Sequence, residues 1–345
     1  MFGSDPAAPA HPSMIQALID VNAGAAPSYG ADTWSGAVQR RLSDVFETEV
    51  ACLLVASGTA ANALALSILC PPTGAIACHQ EAHIERDERG APEFFTGGGK
   101  LHLLPGAHAR VDLDALREAV AKIDRDFFHE TPLDVLSLSN LTESGAAYTP
   151  DAVQARAEVA RAAGLSVHMD GARFANALVR QACAPADLTW RAGVDVLCLG
   201  ATKNAAMGCE AVLLFGEARE RFGDLQARAK RSGHLPPKQR YLAAQMLAWL
   251  DDDLWLALAK DANASAQALK DVFEAAGYDV VHPVDGNEVF VALPPAVAKA
   301  ISEAGIAFYP WLNGAYRFVC TWSTNTRDIE TISKLVSGSK LVSGE

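Results

Sequence analysis

Long apolar runs are missing from this chain of 345 residues. No stretch approaches the ~20 consecutive apolar residues of a membrane-spanning helix, and the amino-terminal MFGSDPAAPAHP lacks the basic region and apolar core of a secretory signal. A cytoplasmic protein with no membrane partner is expected. Basic residues are in deficit, 29 Lys and Arg against 41 Asp and Glu, for a formal net charge of −12. Nucleic acids and anionic membranes need clustered Lys and Arg, so neither is an expected partner. The seven cysteines lack metal-finger spacing, and Cys52, Cys78, Cys198 and Cys320 sit inside apolar runs, as reduced buried thiols do. No Walker loop and no fingerprint of three spaced glycines occurs. In His79-Gln80-Glu81-Ala82-His83 the place that a zinc-protease glutamate would take holds Gln80, so no metal is expected, although the spacing can put both histidines on one helical face.

What is present is the balance of a globular enzyme, 50% hydrophobic and 20% charged residues, in a chain long enough for two domains. From about residue 50, apolar runs at 51–56, 75–78, 101–104, 134–139, 165–170, 194–199 and 210–215 alternate with Ala-rich helical patterns. Continuous apolar strands between helices predict a mainly parallel, seven-stranded α/β sheet covered on both faces. Thr149-Pro150-Asp151 reads as a cap and helix start, and 112–124, 151–163 and 238–276 read as helices. The pattern then becomes a βαβ-like run: NEVFVAL, a helix near 295–304, IAFYP and YRFVCTW. We therefore expect a large domain over 1–249 with an amino-terminal arm, and a smaller α+β domain over 250–345. The carboxyl end repeats KLVSG, at 334–338 and again within SKLVSGE, and is assigned no function.

Lys203, in Gly200-Ala201-Thr202-Lys203-Asn204, follows a buried strand and stands where ligands sit in open α/β sheets. A lysine there can form a Schiff base with a carbonyl cofactor; read alone, it is equally a solvated loop lysine. Another strand ends in His168-Met169-Asp170-Gly171-Ala172-Arg173, one crossover away, so Asp170 and Lys203 can face one crevice. An ionised carboxylate opposite a pyridoxal ring nitrogen keeps it protonated, which the ring needs to act as an electron sink, and Arg173 can reach the phenolic oxygen. Asp170 alone also reads as a helix cap. Ser57, Gly58 and Thr59 form a small-residue turn into a helix, an anion cradle or simply a tight turn.

His83 can lie against a cofactor ring and act as a base. His129, just before the strand at 134–139, is a second candidate placed near the same end of the sheet, or else a surface histidine. Arg317, beside an apolar strand, has the fork to grip a carboxylate. Ser4 can share that carboxylate if the amino-terminal arm folds over the site.

Taken together, FGSD at 2–5, SYGAD at 28–32, ASGTAAN at 56–62, EAHI at 81–84, GAPEFFTGG at 90–98, HMDGARFANA at 168–177, GATKN at 200–204 and RSGHL at 231–235 resemble the L-threonine aldolases. The resemblance spans nearly the whole chain and is greatest to the low-specificity members. It implies the pyridoxal-phosphate-dependent fold type I of the aspartate aminotransferases, a homotetramer with sites at a dimer interface, and cleavage of β-hydroxy amino acids to glycine and an aldehyde. Carried over by residue, it implies that Lys203 holds pyridoxal phosphate, Asp170 pairs with the ring nitrogen and Arg173 meets the phenolic oxygen. It further implies that Ser57, Gly58 and Thr59 hold the phosphate, that His83 stacks on the ring, and that Ser4 and Arg317 bind the substrate carboxylate. His129 matches a histidine that touches the substrate hydroxyl, with His83 the favoured base, and Lys230 or Arg231 would complete a neighbouring subunit's phosphate site. Asp87 stands where the family often has an aromatic residue, and Asn140-Leu141-Thr142-Glu143 replaces the usual Glu-Asn-Thr-His run, which leaves the substrate range open. The alternatives are another enzyme of this fold, an aminotransferase or β-eliminating lyase, or a binding protein that has lost the chemistry.

Overall fold

The computed structural model describes residues 1–338. The first KLVSG ends the helix Thr326–Gly338, and the second copy lies outside the described residues. Seven strands form the large sheet: β1 Ala51–Val55, β2 Ala75–His79, β3 Lys100–Leu104, β4 Leu133–Ser139, β5 Ser166–Gly171, β6 Val196–Gly200 and β7 Glu210–Leu214. Their spatial order is β1-β7-β6-β5-β4-β2-β3, with β7 antiparallel to both neighbours and the remaining pairs parallel. This is fold type I. Strands β2, β6 and β7 are buried along their whole length, which is why they read as unbroken apolar runs. One face packs on Leu64, Leu66 and their neighbours in the helix Gly58–Leu69, the other on a core around Phe46, Trp249 and Trp255.

The helix expected after Thr149 runs Pro150–Ala162, with the Thr149 Oγ1 accepting from the Ala152 N–H at 3.2 Å. The helical stretch expected over 238–276 is two helices, Arg240–Leu250 and Leu254–Ala275. Three consecutive aspartates separate them, and Asp252 and Asp253 take φ of 45° and 55°, which no helix accommodates. No helix among the described residues is long and apolar enough to cross a membrane.

A three-stranded sheet follows, β8 Glu288–Ala292, β9 Tyr309–Pro310 and β10 Ala315–Val319, in the order β8-β10-β9 with antiparallel pairs. Strands β8 and β9 share a direction, as in a βαβ unit, but β10 is inserted between them. Phe2 packs on this sheet, whereas Met14 packs in the core of the large one. Phe2 is fully buried among Phe273, Val289 and Phe318, and its backbone bonds Ala307 and Val319 at 2.8 Å each.

Candidate active site

A cavity of about 250 Å³ opens at the carboxyl ends of β4, β5 and β6, where the start of antiparallel β7 also arrives. It brings together Lys203, Asp170, Arg173 and His83, with Ser57, Gly58 and Thr59 at one side. The helix Gly58–Leu69 begins there, capped by Ser57, whose Oγ accepts from the Ala60 N–H at 3.3 Å. A Cβ on Gly58 would meet nothing within 4 Å, so the first turn is open to an anion.

Asp170 closes β5. Its Oδ1 accepts from the Ala172 N–H at 2.9 Å and its Oδ2 from Asn62 Nδ2 at 2.8 Å. Burial opposes ionisation, but the charges of His83 and Lys203 and those two donors outweigh it and hold the carboxyl below its ordinary range. Asn62 Nδ2 also donates to Glu88 Oε1 at 2.9 Å, and that oxygen lies 2.8 Å from His83 Nδ1. Burial works against a charge on His83, yet the Glu88 bond and the Asp170 charge raise its proton affinity overall. Burial likewise raises Glu88, against the bonds from His83 and Asn62. His83 and His79 do not share a helical face: β2 extends through His79, and His83 starts the short helix His83–Arg86 beyond a turn.

Lys203 sits in the turn Thr202–Asn204 directly after β6. The turn is pinned by Asn204, whose Nδ2 donates to Trp255 O at 2.8 Å and whose carbonyl accepts from Trp249 Nε1 at 3.0 Å. Beneath it is Glu210, pushed up to about 7 by burial although Thr202 and Lys203 favour its charge. Glu143, also lining the cavity, accepts at Oε1 from the His83 N–H at 2.7 Å and from Ser139 Oγ at 2.8 Å. Its Oε2 is buried without a partner, and burial beside Asp170 pushes the acid up to about 7.

Arg173 reaches a second acidic group. Its Nη2 lies 2.7 Å from Asp5 Oδ2 and 3.2 Å from Glu288 Oε1, while its Nε has no partner. Asn287 Nδ2 donates to Asp5 Oδ1 at 2.6 Å. Arg317, on β10, lies 3.8 Å from the same Glu288 oxygen, donates to Gly3 O at 3.4 Å and stands over the Trp311 ring, outside the cavity lining. Ser4 precedes the turn Asp5–Ala7, whose Pro6 lines the cavity.

Ser4 and Arg317 are not in the lining, and His129, Lys230 and Arg231 stand further off. His129 is exposed beside Phe128, ring centroids 4.0 Å apart, before the first residue of β4. That is the amino end of the strand, opposite the cavity; a residue preceding a parallel strand cannot share the end where the strand finishes. Lys230 and Arg231 end the helix Phe222–Arg231 on the surface, with Lys230 over the Tyr29 ring at 4.1 Å. Conversely, Glu88, Glu143, Glu210 and Glu288 carried no role in the sequence reading. For Glu210 and Glu288 a signal exists, since each is a buried acid that opens an otherwise apolar strand.

A family model described as beta-eliminating lyase matches residues 2–295. The chain is 38% identical to the low specificity L-threonine aldolase of Pseudomonas aeruginosa, over 99% of this chain and 98% of that one. The chain belongs to the low-specificity L-threonine aldolases of the beta-eliminating lyase family. It is also 36% identical to the protein of that name from a Pseudomonas species, over 96% of this chain and 95% of that one. Its fold matches the solved threonine aldolase of Leishmania major with a TM-score of 0.91 at 24% identity, covering 99% of each chain.

The cofactor of these aldolases and of their fold is pyridoxal phosphate. The cavity fits it on three counts: a buried, ionised Asp170, an arginine whose buried Nε is unbonded, and an open glycine turn at a helix start, all lining the space that Lys203 enters.

Proposed function

We propose that this chain cleaves L-threonine, L-allo-threonine and related β-hydroxy amino acids, phenylserine included, reversibly to glycine and an aldehyde. The convergence of Lys203, Asp170 and Arg173 on one cavity in a chain of this family carries the reading. Lys203 supplies the amine that holds the cofactor, Asp170 keeps a proton on the ring nitrogen, and Arg173 meets the phenolic oxygen. Ser57, Gly58 and Thr59 hold the phosphate, and His83 lies against the ring with Nδ1 engaged by Glu88. Bound there, pyridoxal phosphate supplies the sink for the electron pair left on Cα. Arg317, with Ser4, is assigned to the substrate carboxylate, fixing which bond at Cα stands perpendicular to the ring.

The same reading makes the protein a cytoplasmic homotetramer, with Lys230 or Arg231 given to a neighbouring copy's phosphate. All seven cysteines are free thiols, which supports a reducing compartment. Phe94 and Phe128 stand 80% and 86% exposed, which supports association. His129 has no place in its own chain's cavity.

The test mixes the protein and cofactor with each of the three substrates and measures both products, with Lys203→Ala as control. Equimolar glycine and aldehyde, lost in the variant, are expected; transfer of the amine to a keto acid instead would make the chain an aminotransferase.

A further inference from the structure

Breaking Cα–Cβ in a β-hydroxy amino acid requires a group that takes the hydroxyl proton as the carbonyl forms. Besides Lys203, which holds the cofactor, four titratable acceptors line the cavity: His83, Asp170, Glu143 and Glu210. Both oxygens of Asp170 are bonded. His83 Nδ1 is engaged by Glu88 at 2.8 Å. Glu210 lies where Thr202 and Lys203 favour its charge against burial. Glu143 differs from all three. Two donors from separate elements, the His83 N–H and Ser139 Oγ, clamp its Oε1, while its Oε2 is buried and bonds nothing. An unpaired buried carboxylate oxygen costs free energy unless a ligand completes it.

We propose that Glu143 is the catalytic proton acceptor for the substrate β-hydroxyl, through Oε2, an inference that rests on the aldolase reading above. The O–H bond breaks with its proton passing to Oε2, its electron pair becomes the second C–O bond of the aldehyde, and the Cα–Cβ pair stays on the glycyl fragment. In the reverse direction the protonated acid returns the proton to the forming alkoxide. The groups around Glu143 suit the exchange: Asp170 from β5 raises its proton affinity and the His83 N–H restrains it, while Arg173, Tyr148 and Cys78 are within its electrostatic reach.

The experiment compares two reactions of the holoenzyme. Exchange of the glycine α-proton with deuterated water needs the cofactor, Lys203 and a folded site but no β-hydroxyl. Glu143→Gln, which keeps an acceptor for the His83 N–H, is expected to lose cleavage by about a hundredfold or more while keeping exchange within about twofold. The limb near pH 7 should leave its pH–rate profile, and of the two carboxyls pushed up to about 7, Glu143 and Glu210, one should be lost from infrared difference spectra of the cofactor-free variant. Should that variant not fold, Glu143→Asp, which keeps the acid but withdraws it, must show the same split at a smaller loss. Equal losses of cleavage and exchange, or unchanged cleavage with the limb retained, overturn the proposal. A wild type that exchanges glycine yet cleaves no β-hydroxy amino acid overturns the aldolase reading instead.

Discussion

His83 Nδ1 and Glu88 Oε1 lie 2.8 Å apart, and the same Glu88 oxygen accepts from Asn62, which also bonds Asp170. One chain of contacts therefore links the histidine at the mouth of the cavity to the carboxylate at its floor. Glu88→Ala removes the bond that raises His83, so His83 should lose its proton at lower pH than in the wild type. Nuclear magnetic resonance titration of the His83 ring checks this, and an unchanged midpoint would show that Glu88 only fills space.

Asp170→Ala leaves the Asn62 amide and the Ala172 N–H without their acceptor and strips the site of its ionised floor. Cofactor affinity should fall by about tenfold or more, the worth of ~1.4 kcal/mol at least, and turnover further still. Titration of the cofactor-free variant by absorbance measures it. Asp170→Asn should retain the fold, because an amide oxygen can still accept one of those bonds.

Breaking the buried Asp5–Arg173 pair tests the tie between the amino terminus and the site. Asp5→Ala should cost about 3–5 kcal/mol in urea unfolding, because Arg173 is left charged and buried beside Glu288 alone. The pH sign follows from Asp5, whose carboxyl Arg173 and Lys203 hold below 3.8 against burial. Its contribution is present above that ordinary value and is lost as pH falls through the depressed one. The wild type and Asp5→Ala should therefore converge in stability under strong acid.

Gly200→Ala addresses the spacing of the two strands that present Lys203 and Asp170. A Cβ there would stand 2.7 Å from the Ala172 Cα and 2.8 Å from its carbonyl oxygen, both backbone. Something must shift, at about 1–3 kcal/mol in stability, and cofactor binding should weaken in parallel. A stable variant that still binds cofactor normally would show that the ends of β5 and β6 yield.

Much of this was legible beforehand because continuous burial writes itself as continuous apolar sequence. All seven strands of the large sheet fall within two residues of their apolar runs, and the small sheet follows NEVFVAL and YRFVCTW. Lys203, Asp170 and Arg173 were readable since each stands at the end of a strand or just beyond it, where topology dictates position. Glu143 was not, because it stands four residues beyond β4 in a loop whose path no periodicity encodes. His129 does stand just before β4, but not at the end of the sheet that bears its own chain's cavity, since proximity in sequence to a strand does not say which end faces the ligand. Nor does any local pattern tell that Phe2 packs against Phe318, more than three hundred residues away.

That last contact orders events during synthesis. Phe2 has its backbone partners at Ala307 and Val319, and Asp5 reaches Asn287 as well as Arg173. Phe2 and Asp5 must therefore wait for segments made far later before they can settle. Until β10 has emerged, Arg173 has no Asp5 held in place opposite it, so a nascent chain can fold its large sheet yet carry an unfinished site.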